Sequence, residues 1–112
     1  MIIKFPIELP SLANLRDHWG RTHRRKKAQR QQVAWELKAS GLKKPRLPVV
    51  VHLTRIAPRR LDEGDNLAMS FKAVRDEIAD WLGVDDGSKW VEFRYHQRKG
   101  APREQAAEIE FE

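Results

Sequence analysis

The chain of 112 residues has no cysteine, which excludes disulfides and every thiolate-held metal. Its four histidines, His18, His23, His52 and His96, show no zinc-ligand spacing. No stretch approaches the roughly 20 apolar residues that cross a bilayer. The opening "MIIKFPIELP" lacks the apolar core of a secretory signal. A cytoplasmic protein without a membrane partner is expected. There is no internal repeat and no low-complexity segment. Acid is in short supply: 16 Asp and Glu face 22 Lys and Arg, a formal net charge of +6 with a pI near 10.0. That excess favours polyanions, nucleic acid first.

What is present fits one globular domain over residues 1–112, with 40% hydrophobic and 34% charged residues. Ile2 to Leu9 reads as a strand, with Ile3, Phe5 and Ile7 on one face and Pro6 marking an edge position. The polar segment "SLANLRDHWGRTHRRKK", broken by Gly20, predicts a loop into a helix. That helix begins near Thr22 or His23 and stops at Gly41. "VVVHLTRI", Val49 to Ile56, is rich in β-branched residues and is the clearest strand. A second helix is predicted from Asp65 to Leu82, closed by Gly83. Trp90 to Arg98 and the final "AAEIEFE" read as strands joined by a hairpin turn at Gly100 to Pro102. The predicted fold is α+β, in the order β-α-β-α-β-β, with a small mixed sheet and two main helices packed on it.

The stretch "RRLDEGDN", Arg59 to Asn66, runs two arginines into Asp62, Glu63 and Asp65. Three carboxylates so close repel one another and need a partner. Asp62 as a helix cap, with Asp65 in the first turn, accounts for one or two of them. It leaves Glu63 unexplained, as well as the second acidic pair, Asp85 and Asp86, just past the same helix. On a continuous helix, Leu67, Phe71, Val74, Ile78 and Leu82 form a core stripe. Asp65, Lys72 and Asp76 then share the opposite side, where Lys72 with Asp76 also makes an ordinary i,i+4 pair. Five carboxylates bracketing one helix in a basic protein point to a hard cation with oxygen ligands, Mg²⁺ or Mn²⁺. Such an ion polarises a phosphodiester oxygen and lowers the pKa of bound water.

The segment "LDEGDNLAMSFKAVRDEIADWLGVDD" resembles the signature of the RusA-type Holliday junction resolvases of bacteria and their phages. Its elements are Asp65-Asn66, Lys72, Asp76 and Asp85-Asp86. Upstream, "PSLANLRDHWGRTHRRKKAQR" is similar to the family's N-terminal segment, so the resemblance covers nearly the whole chain. It implies a homodimeric, Mg²⁺-dependent endonuclease that nicks four-way DNA junctions in symmetric pairs during recombination and repair. By matching position, Asp65 and Asp86 are implied metal ligands and Lys72 the catalytic lysine. The upstream ligand is Glu63 on the pattern Asp-x-Asp-Asn, or Asp62 one residue earlier. The spacing from Asp65 to Lys72 is one helical turn longer than in some members. A straight helix from Asp65 to Leu82 would be about 25 Å long. Asp86 must then return by a folded-back loop or come from the partner subunit.

The densest basic run places Arg21, Arg24, Arg25, Lys26, Lys27 and Arg30 around the start of the first helix. Cations there oppose the helix dipole, which phosphate binding would explain. Arg59 and Arg60 adjoin the acidic cluster and are further candidates for gripping DNA; Asp76, Asp85 and Trp19 are secondary site candidates. Trp35, Trp81 and Trp90 exceed what so small a core needs, which places one or two at an interface. The competing reading is a non-catalytic nucleic-acid-binding phage accessory protein of the same fold, its acids serving as caps and ion pairs. A weaker one is a nuclease acting on RNA or on other branched DNA.

Overall fold

The β-branched run around residue 50 forms the spine of the molecule. In the computed structural model, which describes residues 2–11, 19–62, 65–85 and 87–112 without the side chains of Trp19 and Asp65, the elements follow one another as β1 (Ile2–Pro6), α1 (Trp19–Ala39), β2 (Val49–Ala57), α2 (Asp65–Ser70), α3 (Lys72–Leu82), β3 (Val91–Lys99) and β4 (Ala106–Phe111). The sheet order is β1-β4-β2-β3. Strand β2 lies inside, parallel to β3 and antiparallel to β4. Strand β1 closes one edge against β4, where Pro6 costs no ladder bond to a second neighbour. The Cα radius of gyration, 13.6 Å, is close to the ~13 Å of a compact chain of this length.

Register sorts the side chains. Ile3, Ile109, Leu53 and Tyr95 form one row on the helix side; Phe5, Ala107, Arg55 and Gln97 form the next. With Val33 and Leu37 of α1, Leu67 and Phe71, and Val74 and Ile78 of α3, these rows make a core in which Leu53, Ile109, Phe71 and Val74 are fully buried. Trp81 is half-buried and packs on Phe111 with ring centroids 5.4 Å apart. Among the described residues no helix covers the second sheet face. It carries the pairs Arg98 with Glu108 at 2.6 Å, Arg94 with Glu92, and His52 with both Glu112 (2.6 Å) and His96 (2.9 Å).

Three expectations are corrected. First, α1 starts at Trp19 and takes in Gly20, because glycine in a helix's first turn loses few of the bonds it would weaken further in. Second, the helix predicted from Asp65 to Leu82 is two helices. Ser70 Oγ donates to the Leu67 carbonyl at 2.6 Å and the Phe71 amide to Ala68 at 3.1 Å, so the turn tightens. Phe71 sits at φ −96°, ψ 6°, in the bridge region at the edge of the α basin. The apolar stripe survives the break. Third, β3 and β4 are not a hairpin. The chain from Gly100 crosses the end of β2, where the Gly100 amide bonds the Ala57 carbonyl at 2.9 Å, and β4 pairs on β2's far side. Gly83 does close α3: at φ +79° it lets its own amide and that of Val84 bond the Asp80 and Ala79 carbonyls.

Candidate nucleic-acid interface

Helix α1 carries seven Lys and Arg and one acid, a net of +6, so the other 91 residues, fifteen basic and fifteen acidic, balance. The whole charge excess of the protein therefore lies on one helix. Its first turn has no acid to offset the dipole. Arg21, Arg24 and Lys27 are exposed, while Arg25, Lys26 and Arg30 are half-buried along the seam with the other helices.

Two recesses follow that seam. The larger, about 590 Å³, has His23, Lys26, Lys27 and Arg30 of α1 on one wall and Ala73, Asp76 and Glu77 of α3 on the other. The smaller brings Thr22, Arg25 and Lys26 against Met69, Ser70 and Lys72. Residues some 45 positions apart in the chain thus share one groove. Lys72, the first residue of α3, is exposed and lies 3.7 Å from Asp76. Arg30 bridges the walls, donating through Nε to Glu77 at 3.1 Å and through Nη2 to Asp80. The hydrogen bond that Arg30 donates to the Glu77 carboxylate raises the Arg30 pKa above its ordinary value. Part of Arg30's charge is thereby committed inside the protein, and Asp80 serves a structural pair.

The acidic segment begins at the end of β2. Arg59, Arg60 and Asp62 are exposed. The Asp62 carbonyl accepts the Leu67 amide at 3.2 Å, which ties its backbone to the first turn of α2, where Asp65 is the first residue. Glu63, Asp86 and the side chains of Asp65 and Trp19 lie outside the described residues. Asp85 is exposed in the loop after α3, its carbonyl accepting the Ser88 amide at 2.9 Å. Among the described residues no three His, Asp or Glu side chains gather as a metal centre; three of the four acids assigned to the metal have side chains outside that set. The acids assigned to the ion carry carboxylates, the chemistry that suits Mg²⁺ or Mn²⁺.

Two residues near this segment escaped sequence reasoning. Arg55, 7% exposed, donates through Nε to the Leu9 carbonyl (2.9 Å) and through Nη1 to the Arg59 carbonyl (2.8 Å). Burial lowers its pKa from the usual arginine value. Gln97 grips Leu61 by both backbone groups, at 2.9 and 2.8 Å. A signal for Arg55 did exist: it falls on the same phase of its strand as the apolar Val51 and Leu53, and a cation on the buried phase demands partners.

Among the described residues no helix is long and apolar enough to cross a membrane. No protein-family model matches the sequence, and no curated protein matches it at a significant level.

Proposed function

We propose that the protein is a Mg²⁺-dependent, structure-specific endodeoxyribonuclease that nicks four-way DNA junctions as a homodimer. The observation that carries this reading is the placement of the entire positive excess on α1, across a groove from Lys72 and Asp76. Basic residues of α1, with Arg59 and Arg60, bind the phosphate backbone. Asp65 and Asp86, with Glu63 or Asp62, would hold the ion, which supplies Lewis-acid polarisation of the phosphate and a more acidic bound water. Lys72 stabilises negative charge developing on the phosphate or leaving oxygen, and the neighbouring Asp76 fixes its side chain. Two equivalent sites in a symmetric dimer suit paired nicks on a branched substrate of approximate two-fold symmetry. Trp35, 65% exposed, and Trp90, 47% exposed, offer apolar surface for the partner subunit.

The test is incubation of a labelled four-way junction and a matched duplex with Mg²⁺ or EDTA. Paired nicks in the junction alone, absent in EDTA and in Asp65→Asn, support the nuclease. Tight binding by the wild-type protein without any cleavage would favour the non-catalytic accessory protein. Equal cleavage of linear duplex would remove the junction selectivity, and preferential cleavage of RNA would reassign the substrate.

A further inference from the structure

Among the described residues the sheet has two free edges, β1 and β3, and they are not alike. The β1 edge carries Pro6, which has no amide to offer, and Lys4, a charge of the kind that deters edge pairing. The first half of β3 has neither safeguard. Its pairing with β2 runs without a bulge from Val91 to Lys99. No proline interrupts it, and Val91, Phe93 and Tyr95, which share the helix side with Val49, Val51 and Leu53, are uncharged. The Val49 amide bonds the Trp90 carbonyl at 3.0 Å, and the Gly100 amide bonds the Ala57 carbonyl at 2.9 Å. Even-numbered residues of β3 therefore turn their backbone groups toward β2, while Phe93 and Tyr95 turn theirs outward. The rings of these two residues pack on the core yet stay only half-buried. Glu92 and Arg94 stand on the opposite face, both exposed and paired with each other.

We propose that the outer edge of β3 is the contact with a second copy of this chain, the two strands running antiparallel about a two-fold axis at Phe93, so that two four-stranded sheets join into one. The stretch "VEFRY", Val91 to Tyr95, is complementary to itself in that register. Phe93 meets the partner's Phe93 in a hydrogen-bonded pair, and Val91 meets the partner's Tyr95. Glu92 then lies opposite the partner's Arg94 at a position of closer side-chain approach, and the two-fold axis repeats the pair. Moving the axis one residue either way sets Glu92 against Glu92 or Arg94 against Arg94. Centring it on Tyr95 sets Arg94 against His96 and Phe93 against Gln97. Only the Phe93 register matches apolar with apolar and acid with base throughout, and it carries the exposed Trp90 to the partner's His96. Opposed residues of an antiparallel pair point to the same face. Both helix layers therefore lie on one side of the joined sheet, and the two α1 helices face a shared ligand together. This contact gives the homodimer proposed above its surface and does not depend on the catalytic assignment.

The experiment exchanges charges across the axis and reads the oligomeric state by sedimentation velocity over a concentration series, with cooperative urea unfolding as the check on folding. Glu92→Arg sets arginine against the partner's Arg94, and Arg94→Glu sets glutamate against the partner's Glu92. Each variant alone should raise the dimer dissociation constant about tenfold or more. An equimolar mixture of the two should associate again, since every acid then faces a base, and native mass spectrometry should find one copy of each kind in the dimer. Loss of the Glu92–Arg94 pair within one chain cannot produce that rescue, because neither variant regains it on mixing. Should either variant not fold, Phe93→Lys, which puts two like charges on the axis, takes its place and should be monomeric where wild type is dimeric. Wild type that stays monomeric throughout the series overturns the proposal. So do folded charge variants that dimerise as tightly as wild type, a mixture that associates no better than its components, and a dimeric Phe93→Lys. The junction assay is read separately. A wild-type dimer that responds to the charge exchange but nicks no junction supports the interface and overturns the nuclease reading, whereas a monomer that nicks overturns the interface alone.

Discussion

Arg30 belongs by sequence to the basic run of α1, yet it reaches across the seam to Glu77 and Asp80. A guanidinium so paired contributes more to holding α1 on α3 than to meeting phosphate. Its side chain is 38% exposed, so solvent screening limits the pair to about 0.5–1 kcal/mol. Arg30→Met should therefore lower the unfolding free energy by about that amount in urea titrations. Lys27→Met, at an exposed position, should leave stability unchanged and weaken junction binding more than Arg30→Met does. Glu104 supplies a second test at this scale. Its carboxylate accepts the Ala101 amide at 2.9 Å and lies 3.5 Å from Lys4. The amide bond first, and then Lys4 and Arg98, hold its pKa below the ordinary carboxylate value. A depressed carboxylate stabilises the fold above its unfolded pKa and loses that contribution as pH falls through the folded one. The stability difference between wild type and Glu104→Gln should then be full at neutral pH and vanish on acidification below the usual carboxylate range. The same close packing explains Gly100, where a Cβ would stand 2.8 Å from Glu104 Oε1 and 3.0 Å from Ile56 Cγ2.

Among the elements, Gly83 is the position where backbone conformation decides most. At φ +79° it ends α3 and turns the chain toward the Asp85 loop. Gly83→Ala meets no steric obstacle from neighbouring atoms, so its cost is the left-handed backbone alone, about 1–2 kcal/mol by urea midpoint. That stop was legible in the sequence, as were all four strands and the buried stripe of Leu67, Phe71, Val74 and Ile78. The α2–α3 break was not. Its cause is a Ser70 hydroxyl turned onto its own helix, and the stripe keeps helical spacing straight through it. Nor was the β3–β4 crossing: Gly100 to Pro102 announces a reversal of the chain, and nothing local says that β2 occupies the place between the strands. The broken helix also bears on the site. Asp65 and Lys72 lie on different helices, so a shared face on one straight cylinder describes only Lys72 and Asp76. For the same reason the distance argument that required a folded-back loop or a partner subunit for Asp86, which assumed a straight helix, loses that premise. The basic helix and the pair Lys72 and Asp76 could each be seen in the sequence; their meeting along one seam could not, since it depends on how α1 lies across α3.

At the scale of the whole molecule, a net charge of +6 says little by itself, because any small basic protein is drawn to DNA. The distribution says more: α1 holds all of the excess and the remainder is neutral. Two triple variants separate the two accounts. Arg21, Arg24 and Lys27 are exposed on α1; Lys43, Lys44 and Arg46 are exposed in the chain between α1 and β2. Changing either set to glutamine removes three positive charges. If net charge alone governed binding, the two proteins would lose affinity equally. If α1 is the phosphate-binding surface, only the first set releases fewer counterions. Its plot of log affinity against log salt should then flatten by about two to three units, at roughly 0.9 per lost phosphate contact. The second set should keep the wild-type slope. Anisotropy titrations of a labelled junction from 50 to 200 mM salt, about the range over which such slopes are read, measure both, with EDTA present so that cleavage does not intervene. Equal slopes in the two variants would move the DNA off α1, and with it the groove that joins the basic helix to Lys72.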